Sequence, residues 1–374
     1  MAQKKTSGKQ SPSPRGPNLQ QLRNQIDKID SQLVELINSR AKVAQEIGKQ
    51  KTDAGDEIFS PARESEVLAR IVDINKGPLD ERSVRAIFRE LMSGSRAIQR
   101  SLRIAYLGPE YSFSHLAALE RFGSSVEYVP AGNIAGVFEI VNRGQAELGM
   151  VPIENSTDGR VADTLDMFIR LPLKICGEVS LRIHQNLLSL APLGEIRRVY
   201  SKWQALSQCR HWLATNLPQA TLHEVQSTST AVNLAKSEKN AGAIASRQAG
   251  VAYGVSVVSA NVEDRPNNYT RFAVIGHQTA DRTGKDKTTV MFEMLDEPGA
   301  LADALMIMKK NDVSMSWIES FPGPPAGKKR QYLFFVDLDG HAKDAKISRT
   351  IDALEKRCAK VVVLGSFPVG MQYD

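Results

Sequence analysis

The chain has 374 residues, 42% of them hydrophobic and 24% charged, which is enough apolar material for two or three buried cores. The net charge of +6 makes no case for nucleic acid, because part of it sits in the opening "MAQKKTSGKQSPSPRGP", where Lys4, Lys5, Lys9 and Arg15 meet no acidic residue. No apolar run approaches the ~20 residues of a membrane helix. Cys176, Cys209 and Cys358 stand far apart, with no CxxC and no histidine at ligand spacing. These patterns predict a cytoplasmic protein without a structural metal.

The Pro- and Ser-rich tail, residues 1–17, is predicted to be disordered. Its basic residues lead into no apolar segment of the kind a secretion signal needs. Residues 18–101 read as all helix, in three pieces: about Leu19 to Lys51, from Pro61 onward, and about Glu81 to Leu102. The breaks are "TDAGDEIFSP" and "NKGPLD". The first helix carries an apolar stripe of Leu22, Ile26, Ile29, Leu33, Leu36, Val43 and Ile47. Two shorter helices cannot easily cover a stripe of that length, so a helical dimer is expected.

Charged and polar residues interrupt these stripes. Arg40 stands on the first seam, and Lys51, eleven residues on, lies about 20° from it around the helix. Glu64 continues the stripe of Val67, Leu68 and Ile71. Val84, Phe88, Leu91 and Met92 lead into Ser95 and Gln99. A register-fixing ion pair explains any one of these alone. Arg40, Lys51 and Arg63 against Glu64 form a cluster with cationic excess, which fits a pocket for a small anion with several oxygens.

The stretches "LRNQIDKIDSQLVELINSRAKVAQEIGKQK", "IFSPARESEVL" and "SGSRAIQ" closely resemble the all-α chorismate mutases. Matched motif by motif, Arg23, Arg40, Lys51, Arg63, Glu64, Ser95 and Gln99 fall on that family's active-site positions. The resemblance implies that Arg23 serves the partner subunit's site and that the cations hold the two carboxylates of chorismate. It further implies that Lys51 and Gln99 donate to the ether oxygen as it gains charge, with no general base required. Ser60 stands where many relatives carry Asp, at another substrate-contact position.

From Ser101 strand and helix alternate. "LRIAYLG" reads as a buried strand, "SFSHLAALERFG" as a helix and "SVEYVPA" as a strand. "AELGMVPIENSTDGRVADTLDMF" and "AGAIASRQAGVAYGV" repeat one unit of strand, polar turn and helix. This is α/β texture with a parallel or mixed sheet, and it contains no dinucleotide fingerprint and no phosphate loop. The histidines His115, His184, His211, His223 and His277 lack ligand spacing and read as structural. "ENSTDGR" and "QSTSTAVNLA" place hydroxyls and amides at helix starts, where free N–H groups suit a carboxylate, although plain capping explains either one singly.

With "GPEYSFSH" and "NNYTRFAVIG", these turns resemble the prephenate dehydratase family across residues 102–277. The resemblance implies two α/β lobes around a cleft, similar to periplasmic binding proteins. It makes Thr270 the residue that protonates the departing ring hydroxyl, with Asn268 and Arg271 beside it. Asn155, Ser156, Ser227, Thr228 and Ser229 become substrate contacts.

"TADRTGKDK" reads as a linker. Residues 288–367 then run strand, helix, strand, strand, helix, strand, a ferredoxin-like α+β order. "DEPGALADAL" and "WIESFPGP" resemble the ACT domain of these dehydratases, which binds phenylalanine between paired subunits. Gly299, Ala300, Leu301, Glu319 and Ser320 take the effector positions, and Phe321 replaces the usual Arg.

The three regions follow the order of the bifunctional chorismate mutase–prephenate dehydratases. That order implies chorismate and prephenate as substrates, phenylalanine as effector, no cofactor, no nucleic-acid or membrane partner, and a homodimer or higher oligomer. An arogenate dehydratase and a non-catalytic amino-acid sensor are the alternatives. The mutase region argues against the first, and the presence of Lys51, Gln99 and Thr270 against the second.

Overall fold

The computed structural model describes residues 18–55, 59–157, 159–323 and 331–373, so the tail expected to be disordered lies outside the described residues. Two compact units are present, residues 1–56 and 57–374. The division falls after the first helix, where the sequence pattern placed a boundary after the third.

In the first unit, α1 (Leu19–Ala54) runs for 36 residues. Asn18 and Gln21 close a capping box at its start, each side chain accepting from the other's backbone N–H at 2.9 Å. Gly55 ends it in the left-handed conformation, φ 73°. The stripe from Leu22 to Ile47 is left open: its members are between 42% and 66% exposed.

The second unit begins with α2 (Pro61–Ile74) and α3 (Glu81–Gln99), capped by Ser60 and Asp80, which accept from the backbone N–H groups of Arg63 and Ser83. A first lobe follows: β1 (Arg103–Leu107), α4 (Phe113–Phe122), β2 (Glu127–Ala131), α5 (Ile134–Asn142), β3 (Leu148–Asn155), β4 (Gly159–Arg160), α6 (Ala162–Arg170) and β5 (Lys174–Arg182). The chain then crosses into a second lobe. That lobe comprises β6 (Asn186–Ser189), β7 (Arg198–Ser201), α7 (Trp203–Gln208), α8 (Arg210–Asn216), β8 (Thr221–Glu224), α9 (Thr228–Ser237), β9 (Ala241–Ala245), α10 (Arg247–Tyr253) and β10 (Val257–Ser259). It returns as β11 (Tyr269–Gly276), which pairs antiparallel with both β3 and β5 in the first lobe.

The expected linker is partly ordered: Thr283 and Gly284 donate to the buried Asp286 carboxylate, fixing a turn into β12 (Asp286–Leu295). The C-terminal sandwich continues with α11 (Ala300–Lys310), β13 (Met315–Pro322), β14 (Gln331–Asp339), α12 (Ala345–Arg357) and β15 (Lys360–Pro368). Its strands lie in the order β13-β14-β12-β15, all antiparallel, as a ferredoxin-like sheet requires. A last strand, β16 (Met371–Tyr373), leaves the sandwich and pairs parallel with β5. The first-lobe sheet therefore reads β16-β5-β11-β3-β1-β2 with β4 beside β3, and the second-lobe sheet reads β10-β6-β9-β7-β8.

One face of the sandwich sheet packs on α11 and α12 through Val290, Phe292, Ala304, Ile347 and Leu354. The other face, with Met291, Trp317, Phe335 and Phe367, joins the first-lobe core of Val151, Leu165, Ala273 and Ile275. Lobe and sandwich thus share one core. The approach is closest at Gly365, where an added Cβ would collide with the Ile175 carbonyl. Gly365→Ala is expected to prise β15 from β5 and lower the unfolding free energy by about 1–3 kcal/mol, the usual cost of overpacking. Urea unfolding of the two proteins measures it.

Candidate active sites and the charges behind them

Pairing of β11 with β3 sets Thr270 opposite Asn155. The Asn155 side-chain amide donates to Thr270 Oγ1 at 2.8 Å and to Asn268 Oδ1 at 2.9 Å. Its oxygen accepts from the Thr157 N–H at 2.9 Å, which fixes the way the amide points. Ser156 Oγ accepts from Tyr269 N–H at 2.9 Å. Asn268 and Thr270 are buried, and a cleft of about 510 Å³ opens beside Asn268 and Thr157. Its far wall brings Gln208, Arg210 and His211 from the second lobe, with Arg265 from the returning crossover. No motif in the sequence marks these four, and they were not among the expected site residues.

Ser227, Thr228 and Ser229 lie on the second lobe. Ser227 caps α9 by accepting from Thr230 N–H, and Ser229 Oγ is buried without a hydrogen-bond partner. The lobes are tied at their rim, where Ser246 Oγ donates to the Tyr111 carbonyl at 3.0 Å. His115 Nδ1 accepts from Tyr111 N–H, and burial lowers its pKa, so the ring is neutral and structural.

Arg271 was expected beside Thr270 as a substrate contact, and the structure turns it away. Side chains alternate along a strand, so consecutive residues leave opposite faces. The Arg271 guanidinium donates to Glu154 on β3 (2.8 Å), Glu178 on β5 (3.0 Å) and Asp337 on β14 of the sandwich (2.6 Å). Lys287 on β12 also reaches Glu178, at 3.0 Å, and Thr289 donates to Asp337 at 2.6 Å. The indole of Trp317 lies under the guanidinium, 5.5 Å from its ring centre. Burial works against the Arg271 charge, but Glu178 and Asp337 outweigh it and hold the pKa above its ordinary value. Burial also pushes Glu178 upward, yet Arg271, Lys287 and the Gly370 N–H bring its carboxyl below the usual range. Asp337, fully buried beside a second carboxylate, is pushed up by its burial despite Arg271.

The candidate residues of the helical region fall on both units. Arg23, Arg40 and Lys51 lie on α1, where Arg23 is exposed while Arg40 and Lys51 are partly buried. Burial lowers the Arg40 pKa. In the second unit Ser60 caps α2, Arg63 pairs with Glu66 at 2.7 Å, and Gln99 is half-buried at the end of α3. Ser95 is buried and donates to the Leu91 carbonyl. Glu64 has both carboxylate oxygens engaged, one by Arg96 and one by Arg121 of α4 at 2.9 Å. Phe59 covers both guanidinium groups. Glu64 here fastens α2 and α3 to the first lobe.

In the sandwich, Gly299 opens α11 with φ 84°, a conformation that suits glycine, and Ala300 and Leu301 begin the helix. Ala300 lines a cavity of about 210 Å³ with Glu297 and Arg357. Glu319 and Ser320 lie on the outer strand β13 and meet Arg160 of β4. Arg160 donates to the Ser320 carbonyl (2.7 Å) and to Glu319 (3.4 Å), with Phe321 beneath its guanidinium, 5.5 Å from the ring centre. The β3–β4 turn thus carries Asn155 at one end and Arg160 at the other.

Among the described residues no group of three or more His, Cys, Asp or Glu could hold a metal, and no helix is long and apolar enough to cross a membrane. Residues 22–100 match the family model "Chorismate mutase type II" and residues 104–280 match "Prephenate dehydratase". The bifunctional chorismate mutase/prephenate dehydratase of Aquifex aeolicus is 39% identical over 94% of this chain and 98% of its own. The protein of the same name from Stutzerimonas stutzeri is 42% identical over 94% and 97%. Among solved structures, the prephenate dehydratase of Arthrobacter aurescens in complex with L-Phe superposes with a TM-score of 0.66 at 30% identity, covering 71% of this chain and 90% of its own.

Replacing Glu178 by Gln leaves Arg271 and Lys287 short of a buried counter-charge and is expected to cost about 3–5 kcal/mol near neutral pH. A depressed carboxyl stabilises the fold above its ordinary pKa and loses that contribution as the pH falls through the folded value. The gap between wild type and Glu178→Gln should therefore close below about pH 4. Urea titrations at neutral and acid pH test this, and a gap that stayed constant would contradict it.

Proposed function

Because the chain belongs to the family of bifunctional chorismate mutase/prephenate dehydratases, we propose how its residues divide the two reactions. The enzyme is an isomerase, turning chorismate into prephenate, and a lyase, turning prephenate into phenylpyruvate on the way to phenylalanine.

For the lyase step, the observation that carries the reading is the direction of one hydrogen bond. Asn155 donates to Thr270 Oγ1, so the hydroxyl is an acceptor there and keeps its own proton for another partner. When the ring carboxylate of prephenate leaves as carbon dioxide, its bonding electrons complete the aromatic ring and expel the ring hydroxyl. Thr270 donates a hydrogen bond to that oxygen, which takes a proton from solvent and leaves as water. Threonine is too weak an acid to act by proton release alone, so its contribution is geometric and electrostatic. Asn268 and Ser156 frame the Thr270–Asn155 pair. Ser227, Thr228 and the unpartnered Ser229 present polar groups at the start of α9 for a substrate carboxylate.

For the isomerase step, Arg23, Arg40 and Arg63 hold the carboxylates of chorismate, and Lys51 and Gln99 donate to the ether oxygen as its bond breaks, with Ser60 and Ser95 as polar neighbours. The open stripe of α1 supports assembly as a homodimer, since an exposed apolar face of that length needs a partner. Phenylalanine is the proposed effector, held by an ACT-type sandwich. Gly299–Leu301 at the start of α11 and Glu319–Ser320 on β13 are its proposed contacts. Arg160 and Arg271 carry the effector's influence to the lyase residues: one ends the turn that bears Asn155, the other follows Thr270.

Thr270→Ala is expected to slow turnover of supplied prephenate by roughly 10²–10³-fold, the loss seen when one transition-state donor is removed. Chorismate is then still consumed and prephenate accumulates. Gln99→Ala is the complement, with mutase rate lost and prephenate dehydration kept. Phenylpyruvate formed at the normal rate by the first variant would sink the role of Thr270.

Arg160→Ala should leave dehydration of prephenate near the wild-type rate while weakening inhibition by phenylalanine. The full coupling is of order 1–3 kcal/mol, about 5–150-fold. Titration calorimetry reports binding separately from inhibition. Unchanged inhibition in the variant would remove Arg160 from the route.

A further inference from the structure

The second-lobe strands β7, β8 and β9 run parallel, with Val199 paired to Leu222 on one side and Gly242 on the other. Their carboxyl ends therefore share one edge, the edge of an open α/β sheet where ligands bind. In the first lobe β1 and β3 are parallel as well, and Asn155 ends β3 beside Thr270. Ser246, just past β9, donates to the carbonyl of Tyr111 in the turn after β1, so the two carboxyl edges meet across the cleft. Lys202 stands on the second-lobe edge, directly after β7 and in extended conformation. Val199 packs in the core under α7 and α8, and Tyr200 in the core under α9. The two-residue period of a strand brings Lys202 back to the side of Tyr200, where Tyr111 packs and α9 begins. The side chain is partly buried, with no hydrogen bond or ion pair among the described residues, and burial lowers its pKa with no carboxylate to oppose it. A cation withdrawn from water at that cost is explained by an anion that arrives with the substrate.

We propose that Lys202 receives the carboxylate of prephenate's pyruvyl arm and so sets the lyase's preference for prephenate over its aminated analogue, arogenate. This placement rests on the reading of Thr270 given above. In prephenate the hydroxyl lies across the six-membered ring from the carbon that bears both the ring carboxylate and the arm. With the hydroxyl held at Thr270, the arm points from the first lobe to the second. The ring carboxylate must shed its charge as carbon dioxide, and a cation on it would hold it back. The arm's carboxylate keeps its charge throughout, so Lys202 binds substrate and transition state alike and acts on KM rather than kcat. In arogenate an ammonium stands beside that carboxylate, leaving the arm without net charge, and Lys202 repels it.

The test uses the full chain with Lys202→Met and Lys202→Arg. The Met variant should raise KM for prephenate about tenfold or more, the loss expected of a charge-assisted hydrogen bond, while kcat stays near wild type. The constant for arogenate, as competing substrate or inhibitor, should hold or fall, and Lys202→Arg should keep most of the wild-type preference. Removing an unpaired cation also predicts that Lys202→Met unfolds at the same urea concentration as wild type or a higher one, which a structural lysine would not allow. Phenylpyruvate keeps the arm and has lost the ring hydroxyl, so in titration calorimetry it should bind Lys202→Met about tenfold more weakly or worse. That measurement is independent of Thr270, so the two assignments fail separately. Unchanged KM for prephenate, or an equal rise for prephenate and arogenate, would overturn the role of Lys202.

Discussion

Five charges between two sheets, Glu178 and Asp337 buried and the other three partly so, hold this enzyme's lyase half in shape. Arg271 and Lys287 face Glu154, Glu178 and Asp337, and each of the first-lobe sheet's inner strands β3, β5 and β11 supplies one member while β12 and β14 of the sandwich supply the other two. Desolvating five ions is expensive, and the mutual attraction repays that cost only while all of them stay in register. The cluster therefore works less as a source of stability than as a specification. It tolerates one relative placement of lobe and sandwich. Because Arg271 and Glu154 each adjoin a member of the Thr270–Asn155 pair in sequence, that placement is also a constraint on the hydroxyl and the amide.

A smaller version of the same device operates on the isomerase side. Glu64, clasped by Arg96 and Arg121, makes α2 and α3 part of the lyase body. Ser95 and Gln99 consequently ride on a helix anchored to α4 and inherit its rigidity. The two activities share a scaffold as well as a chain.

The sequence was legible where periodicity or chemistry is local. Three helices, the alternation of strand and helix, and the βαββαβ order of the sandwich could all be read from spacing, and the Asn155, Asn268 and Thr270 motifs do converge. What resisted was partnership at long range. Arg271 adjoins Thr270 in the chain, and the two-residue period of a strand already implies opposite faces, a signal that was present and unused. Glu64 sits on an apolar stripe and invited a ligand, but its partners lie 32 and 57 residues away. Arg160, whose guanidinium covers Phe321, is 161 positions from it, and the "ENSTDGR" stretch that it ends gives no sign of that partner. The three residues of β16 have no periodicity long enough to announce a strand, and only an edge left open by β5 gives them a place.

The strand order of the first lobe also dictates an order of events during synthesis. β11 lies between β5 and β3, yet everything from β6 to β10 is made before it. The second lobe is one uninterrupted stretch and can fold as a unit when it leaves the ribosome, whereas the first lobe must wait with its centre missing. Until β11 arrives, β3 and β5 present unpaired edges and apolar faces to solvent. The strand that bears Thr270 is the piece that closes this gap. Catalytic competence and relief from aggregation thus come from the same eight residues, at the same moment in the life of the chain.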